Sequence, residues 1–407
     1  MSKTITTILF LILSFHLSAQ WTPINDSYLC NYVTKNDGDL YITTYANGVY
    51  KTDNLVDWDS ISNGLPLSTS PNLDFAPVYM LLAEGDTLFA ATREGIYKSI
   101  NGGLNWIKKS NGIAIGNGAN WEFTLSIFRT DDGVLLTGGS AGIYKSTDDG
   151  ENWILTNITD NNVVNFIEHN GALYAGRSSG NSPRGYKSID NGVTWVILSP
   201  PFFVDTYFSE GNNLFICGLG VALSTDNGLT WTVLNEGLNA DPYSFDIVKI
   251  ENTLLTTDNT GVSRSFNNGV NWELFSDGLP FARDFYEIID FNDKLITVGS
   301  EGVWQRDLSQ VVNINDNYIT DFSFNNYPNP SKSSTTFSFT LKQTSDVEIN
   351  IYNFKGQKVS SVIEKQLTSG INNIQWNRNK ENLNSGTYLC ELIINNTKTD
   401  ELKLILE

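Results

Sequence analysis

The sequence predicts an all-β chain, a seven-bladed β-propeller followed by a small Ig-like β-sandwich. Three observations lead there. A hairpin unit closing on Ser-x-Asp-x-Gly-x-x-Trp recurs between Ser99 and Trp272. Seven glycines, Gly48, Gly95, Gly142, Gly185, Gly220, Gly261 and Gly302, each preceded by an apolar run, stand at steps between 35 and 47 residues. After Tyr327 the long period stops, and short strands of alternating polarity take over.

The unit is clearest from Gly142 to Trp153. Ile143, Tyr144, Lys145 and Ser146 alternate with the two-residue period of a strand. Asp148-Asp149-Gly150 breaks the run, because an Asp side chain accepts a nearby backbone N–H and Gly tolerates positive φ. Trp153 opens the return strand, with a ring large enough to pack beneath the turn. Strand, Asp-Gly turn and aromatic return strand make a hairpin.

The runs before the seven glycines are Leu40–Thr43, Leu88–Ala91, Leu135–Thr137, Leu173–Ala175, Leu214–Ile216, Leu254–Thr256 and Leu295–Thr297. A period near forty with about four short strands per unit is the pattern of propeller blades. Strands covered on both faces by neighbouring blades read as continuous apolar runs rather than clean alternation. The turn residues in order are Asp53, Asn101, Asp148, Asp190, Asp226 and Asn267, and the aromatic partners are Trp58, Trp106, Trp153, Trp195, Trp231 and Trp272. Asp148, Asp190 and Asp226 sit in full matches, Asn101 and Asn267 replace Asp, and the first unit is one residue shorter and lacks the Gly.

The seventh unit has no such hairpin after Gly302–Arg306. Gln20-Trp21-Thr22-Pro23-Ile24 resembles Trp153–Thr156, so residues 20–25 are expected to supply the missing outer strand. Closing the ring this way removes two exposed edges. Val311–Ile314 is the competing donor. The propeller is thus expected over 20–306 and a polar, Asn/Asp-rich linker over 307–324. Residues 325–407 carry Thr335–Leu341, Val347–Tyr352, Ile371–Trp376 and Gly386–Ile394 as strands of a small sandwich.

The repeated Ser-x-Asp-x-Gly-x-x-Trp resembles the Asp-box of bacterial neuraminidase repeats, shared with sialidases, sortilin-type receptors, propeller xyloglucanases and photosystem-assembly propellers. In these families the box is a structural turn, so the resemblance implies fold rather than activity. Tyr327-Pro328-Asn329-Pro330, Ile351-Tyr352-Asn353 with Gly356, and Leu383–Tyr388 with Ser385-Gly386 resemble the C-terminal sorting domain of the type IX secretion system of Bacteroidetes. That resemblance implies export through the periplasm, the type IX machinery as partner, and release from the cell or attachment to the outer-membrane surface. An ordinary Ig-like binding module is the competing reading of the tail.

Residues 1–19 fit a secretory signal, with Lys3, the apolar stretch Ile8–Leu13, and Ser18-Ala19 before Gln20. The stretch is short for a bilayer span, and no membrane span is expected after its removal. The formal charge of -19 argues against nucleic acid as a partner. Cys30, Cys217 and Cys390 are an odd, widely spaced set and form no disulfide framework. With His169 the only histidine after the leader, neither a zinc site, a His-based triad nor any cofactor is expected.

The sialidase arginine pattern is absent; Phe128-Arg129-Thr130-Asp131 is its nearest approach. A ligand site is expected on the face built from the loops between blades and the loops between second and third strands. The longest of these carry Asp74, Phe75, Trp121, Glu122, Arg177 and Arg184, with Arg93 and Glu94 in a neighbouring loop. Trp beside carboxylates is a sugar-holding arrangement; the competing reading packs Trp121 against its own loop. The chain is therefore read as a binding or scaffold module for a glycan or protein ligand. A glycoside hydrolase of the Asp-box type is the alternative, without an identifiable carboxylate pair.

Overall fold

The computed structural model describes residues 20–25, 28–69, 73–114, 122–280, 284–311, 324–341, 344–368, 370–378, 383–395 and 397–406. The chain divides into two compact units, Met1–Val312 and Asn313–Glu407.

In the first unit the described residues form seven four-stranded antiparallel sheets. Their innermost strands are Cys30–Asn36, Val78–Glu84, Thr124–Arg129, Val163–His169, Thr206–Glu210, Ser244–Ile250 and Phe285–Phe291. Each is a spatial neighbour of the next, and the seventh is a neighbour of the first, so the sheets close into a ring. The second strands, such as Asp39–Thr44 and Thr87–Thr92, are buried at every position after the first. That double-sided burial explains their unbroken apolar runs.

The seventh sheet is completed from the other end of the unit. Thr22–Asn25 pairs antiparallel with Gly302–Asp307, Thr22 facing Gln305 and Pro23 facing Trp304. Trp21 anchors this strand. Its N–H donates to the Asp277 carbonyl at 2.7 Å and its indole Nε1 to the Phe275 carbonyl at 2.7 Å, both on the preceding blade. Trp106, Trp153 and Trp272 make the same indole bond to the Ile61, Lys109 and Leu234 carbonyls of their preceding blades. At these four positions the tryptophan is thus a joint between blades, whereas Trp195 Nε1 donates within its own turn to the Gly192 carbonyl at 3.2 Å. Glycine is required where the incoming loop crosses it: a Cβ on Gly64 would lie 2.5 Å from the Trp106 carbonyl oxygen, and one on Gly278 2.3 Å from that of Trp21.

One boundary differs from the sequence reading. The last strand runs to Asp307, a 3-10 turn follows at Leu308–Gln310, and Val311 is buried with Trp21 and Phe275. Residues 307–311 therefore belong to the propeller rather than to the linker. Leu308 and Val311, three apart, turn inward from an otherwise polar stretch. Val311 is a core residue here and not the donated strand, whose place Thr22–Asn25 holds.

The boxes are self-contained turns. Ser146 Oγ donates to Asp148 Oδ1 at 2.8 Å, Asp148 Oδ1 accepts the Asn152 N–H at 2.9 Å, and Gly150 N–H returns to Ser146 Oγ at 3.0 Å. Asp190 and Asp226 accept the same Ser hydroxyl and backbone bonds, and Asn101 and Asn267 do so with their amide oxygens. In the first unit the turn residue is Asn54, not Asp53. Asn54 Oδ1 accepts the Val56 and Asp57 N–H groups at 2.8 and 2.9 Å. The acceptor must stand two residues after the hydroxyl, here Thr52, and Asp53 stands only one after it. Leu55, at φ 63, takes the left-handed position that Gly holds elsewhere.

Hydrogen bonds from Thr194 and Ser188 hold Asp190 below its usual 3.8, at about 2, and Thr230 does the same for Asp226. A carboxylate lowered in the folded state stabilises the fold above its unfolded pKa, and loses that contribution as pH falls through the folded one. Asp190→Ala is expected to lower the thermal midpoint at pH 7 by a few degrees. The deficit should shrink as pH falls from about 4 toward 2; a deficit unchanged with pH would refute this account of the turn.

The second unit is a β-sandwich. One sheet has Asn325–Tyr327, Ser334–Leu341 and Gly370–Asn377; the other has Lys358–Leu367, Ser345–Tyr352, Gly386–Ile394 and Thr397–Leu406, in those orders. Phe337, Phe339 and Trp376 from the first pack with Ile349, Ile351, Cys390, Leu392 and Leu404 from the second. The Tyr-Pro-Asn-Pro segment clips the final strand. Asn329 Nδ2 donates to the Lys403 carbonyl at 2.7 Å, its Oδ1 accepts the Ile405 N–H at 2.9 Å, and Ser331 N–H donates to the Ile405 carbonyl at 2.8 Å. The side-chain amide thus completes two backbone bonds on that edge.

Candidate functional site: an axial cavity

Six of the seven inner strands carry a β-bulge in the same place, between Cys30 and Tyr32, Val78 and Met80, Thr124 and Ser126, Val164 and Phe166, Ser244 and Asp246, and Phe285 and Glu287. A bulge re-aims a side chain that regular alternation would have sent to the sheet face. The six skipped residues are Asn31, Tyr79, Leu125, Asn165, Phe245 and Tyr286, and all six line one cavity of about 290 Å³ on the propeller axis. The remaining inner strand contributes Asp205 and Thr206. These positions lie at the N-terminal ends of the inner strands, and Ser178 follows a second strand, so the mouth faces the side of the interblade loops.

The wall is tied together between blades. Asn31 Nδ2 donates to the Val78 carbonyl at 2.8 Å, and Asn165 Oδ1 accepts the Tyr207 N–H at 3.3 Å. Phe245 packs on Tyr243 at 5.1 Å and edge-on to Tyr286 at 5.2 Å between ring centroids. Carboxyl groups sit among these rings. Burial pushes Asp205 up to about 7, against the opposing pull of the nearby Tyr243 hydroxyl, and Asp205 Oδ2 has no hydrogen-bond partner among the described residues. Burial, then the adjacent Asp246 charge, raises Glu287 well above the carboxylate range. Asp246 is raised by burial too, while its Oδ2 accepts the Ile288 N–H at 3.1 Å. No lysine, arginine or histidine is among the lining residues.

Of the residues expected from sequence, those described fall in three separate groups, none of them lining this cavity. Lys108 Nζ pairs with Glu122 Oε2 at 2.9 Å, and Glu94 feels Lys108, Arg93 and Glu122 after the burial that raises it. Arg93 also lies by Tyr79, whose hydroxyl burial raises and Arg93 lowers. On the fourth blade Arg177 is buried and donates to Asn161, and Arg184 pairs with Asp160 Oδ2 at 2.7 Å, which Tyr186 also reaches. These two arginines brace a loop. Phe75 is partly buried against the first and second blades, its N–H on the Ala46 carbonyl at 2.9 Å, and the Asp74 charge acts on Tyr50. Trp121 lies outside the described residues. Tyr32, Tyr79, Asp205, Phe245, Tyr286 and Glu287 were missed. Aligning the repeats one residue into each inner strand sets Asn31, Tyr79, Phe245 and Tyr286 in one column, too bulky or polar for a strand core, with Asn165 one position further in its own strand.

Residues 325–407 match the family model described as a secretion system C-terminal sorting domain. No curated protein matches the chain. Among solved structures it resembles YCF48 bound to D1 peptide, with TM-score 0.54 and 15% identity over 71% of this chain and 94% of that one. It resembles PorZ, an essential bacterial surface component of the type-IX secretion system of Porphyromonas gingivalis, with TM-score 0.55 and 13% identity over 95% of this chain and 60% of that one. An ancestral GH74 enzyme gives TM-score 0.55 and 14% identity over 95% and 63%. At these identities the likeness is one of fold. The chain is thus a β-propeller protein carrying a type IX secretion sorting domain, which makes it secreted or cell-surface cargo.

Proposed function

We propose that this protein is a binding module carried outside the cell by its C-terminal domain, and that its ligand enters the axial cavity from the side of the interblade loops. One observation carries the reading: six bulges turn six side chains out of their own sheets and onto a single cavity. A scaffold needs no such convergence, since each bulge gives up ladder hydrogen bonds.

The chain without residues 325–407 is expected to stop in the periplasm, and its appearance in the medium or on the outer-membrane surface would overturn the sorting assignment. Peptide and glycan arrays probed with the wild type, Tyr79→Ala and Tyr286→Ala test the cavity. Binding lost in both variants with thermal midpoints kept supports it; binding retained in both refutes it. Asp246 and Glu287 share a hydrogen bond, so this pair lacks the separation of about 5 Å or more that glycosidase carboxylates keep. Glycan cleavage abolished by Glu287→Gln or Asp205→Asn would support the hydrolase reading.

A further inference from the structure

Resting on the cavity as the binding site, we propose that its occupant is the basic side chain, arginine or lysine, of an extended segment of a partner protein. The acids favour a cation: burial favours their protonated forms in the empty cavity, and an entering ammonium or guanidinium lets them ionise against it. Asp205 and Glu287 line the wall and Asp246 stands behind them, with no cationic side chain among the lining residues. Arg93, at the rim, acts on Tyr79, while Asp205 is shifted by burial and Tyr243, and Glu287 by burial and Asp246. A buried carboxylate oxygen without a donor is costly to leave unmet, and a guanidinium or ammonium supplies several donors at once. The chain's formal charge of -19 also draws cations toward it.

The shape selects a side chain rather than a sugar. Met80, Leu125 and Val164 make an apolar stretch of wall, and Phe245 and Tyr286 add aromatic faces beside the acids. Lysine and arginine present an apolar stem below a charged head, which fits such a wall with carboxylates on it, and rings beside the head add cation–π attraction. An amino sugar would set hydroxyls against Met80, Leu125 and Val164, and an acidic sugar would meet carboxylates. A cavity of about 290 Å³ accepts one long side chain but not a helix, so the backbone bearing it runs extended across the mouth.

The test titrates residues 20–407 by calorimetry at low salt with acetyl-Gly-Gly-Arg-Gly-Gly amide, its lysine and citrulline counterparts, and a glucosamine tetramer. The arginine or lysine peptide is expected to bind at least about tenfold more tightly than the uncharged citrulline peptide. Glu287→Gln should lose about tenfold or more while its thermal midpoint stays at or above the wild type's. Failure of both basic peptides to bind, a citrulline peptide as tight as arginine, preference for the glucosamine tetramer, or unchanged binding in Glu287→Gln would each overturn the proposal. Tyr286→Ala separates the two readings. If it weakens charged and uncharged peptides alike, the cavity stands and the cation falls; if it weakens no probe that binds, the cavity falls too.

Discussion

Asp205→Asn is expected to raise the thermal midpoint at pH 8 by on the order of 5–10 °C and to leave it nearly unchanged at pH 4. Asp205 is raised from 3.8 to about 7 by burial. Between those values the unfolded chain has released the proton and the folded chain still holds it. The folded state therefore binds more protons, and stability falls as pH rises. At about 1.4 kcal/mol per pH unit the loss reaches up to about 4 kcal/mol once the pH passes 7. A midpoint shift of ~2 °C per kcal/mol, the low end of the scale as suits a unit of this size, converts that into the stated range. Asparagine keeps the shape without the charge. Glu287 and Asp246, raised in the same direction, give slopes of the same sign and remain in the variant. Scanning calorimetry from pH 4 to pH 8 on both proteins decides it; parallel curves would show that Asp205 does not titrate as its surroundings demand. A carboxyl that weakens the fold at neutral pH, with Oδ2 turned to no donor, is the kind of group retained at a site for a ligand.

Trp21→Ala is expected to cost about 3–5 kcal/mol and lower the midpoint by on the order of 10 °C. Trp21 is 1% exposed and packs edge-on to Phe275 at 6.3 Å, with Arg306 stacked 3.7 Å from the same Phe275 ring. Its loss removes the indole hydrogen bond to the Phe275 carbonyl of the sixth blade along with the packing. It also frees the strand Thr22–Asn25 that completes the seventh sheet, leaving Gly302–Asp307 as an open edge. Deleting residues 20–25 should reach at least the same loss. A midpoint within a degree of the wild type's in either variant would show that the ring is held elsewhere.

Much of the fold was legible in the residues because it is written locally and repeated. Ser146, Asp148, Gly150 and Trp153 are all needed within one turn, and hydrogen bonds no longer than 3.0 Å join the first three. The misplacement of the first box on Asp53 shows the limit. With Gly replaced by Leu55 the local pattern is ambiguous by one residue, and only the bonds to Asn54 fix it. The same holds for 307–311, whose composition is that of a linker until Leu308 and Val311 meet Trp21, distant in sequence.

The candidate site was hardly legible. Reading the loops by length and charge led to Arg177, Arg184, Glu94 and Glu122, residues that pair with partners of their own. Asn31, Tyr79, Phe245 and Tyr286 sit inside strands, where alternation would send them to a sheet face. Whether an extra residue in a strand is absorbed as a bulge depends on the pairing strand and the neighbouring blade. The sequence by itself determined the blade, its turn and the sorting tail, since each is satisfied within a unit or against the next. The choice of Trp21 to Asn25 over Val311 to Ile314 as the closing segment, and the meeting of seven inner strands around Asp205 and Glu287, were decided only in three dimensions. Those contacts join residues far apart along the chain, and no local preference specifies them.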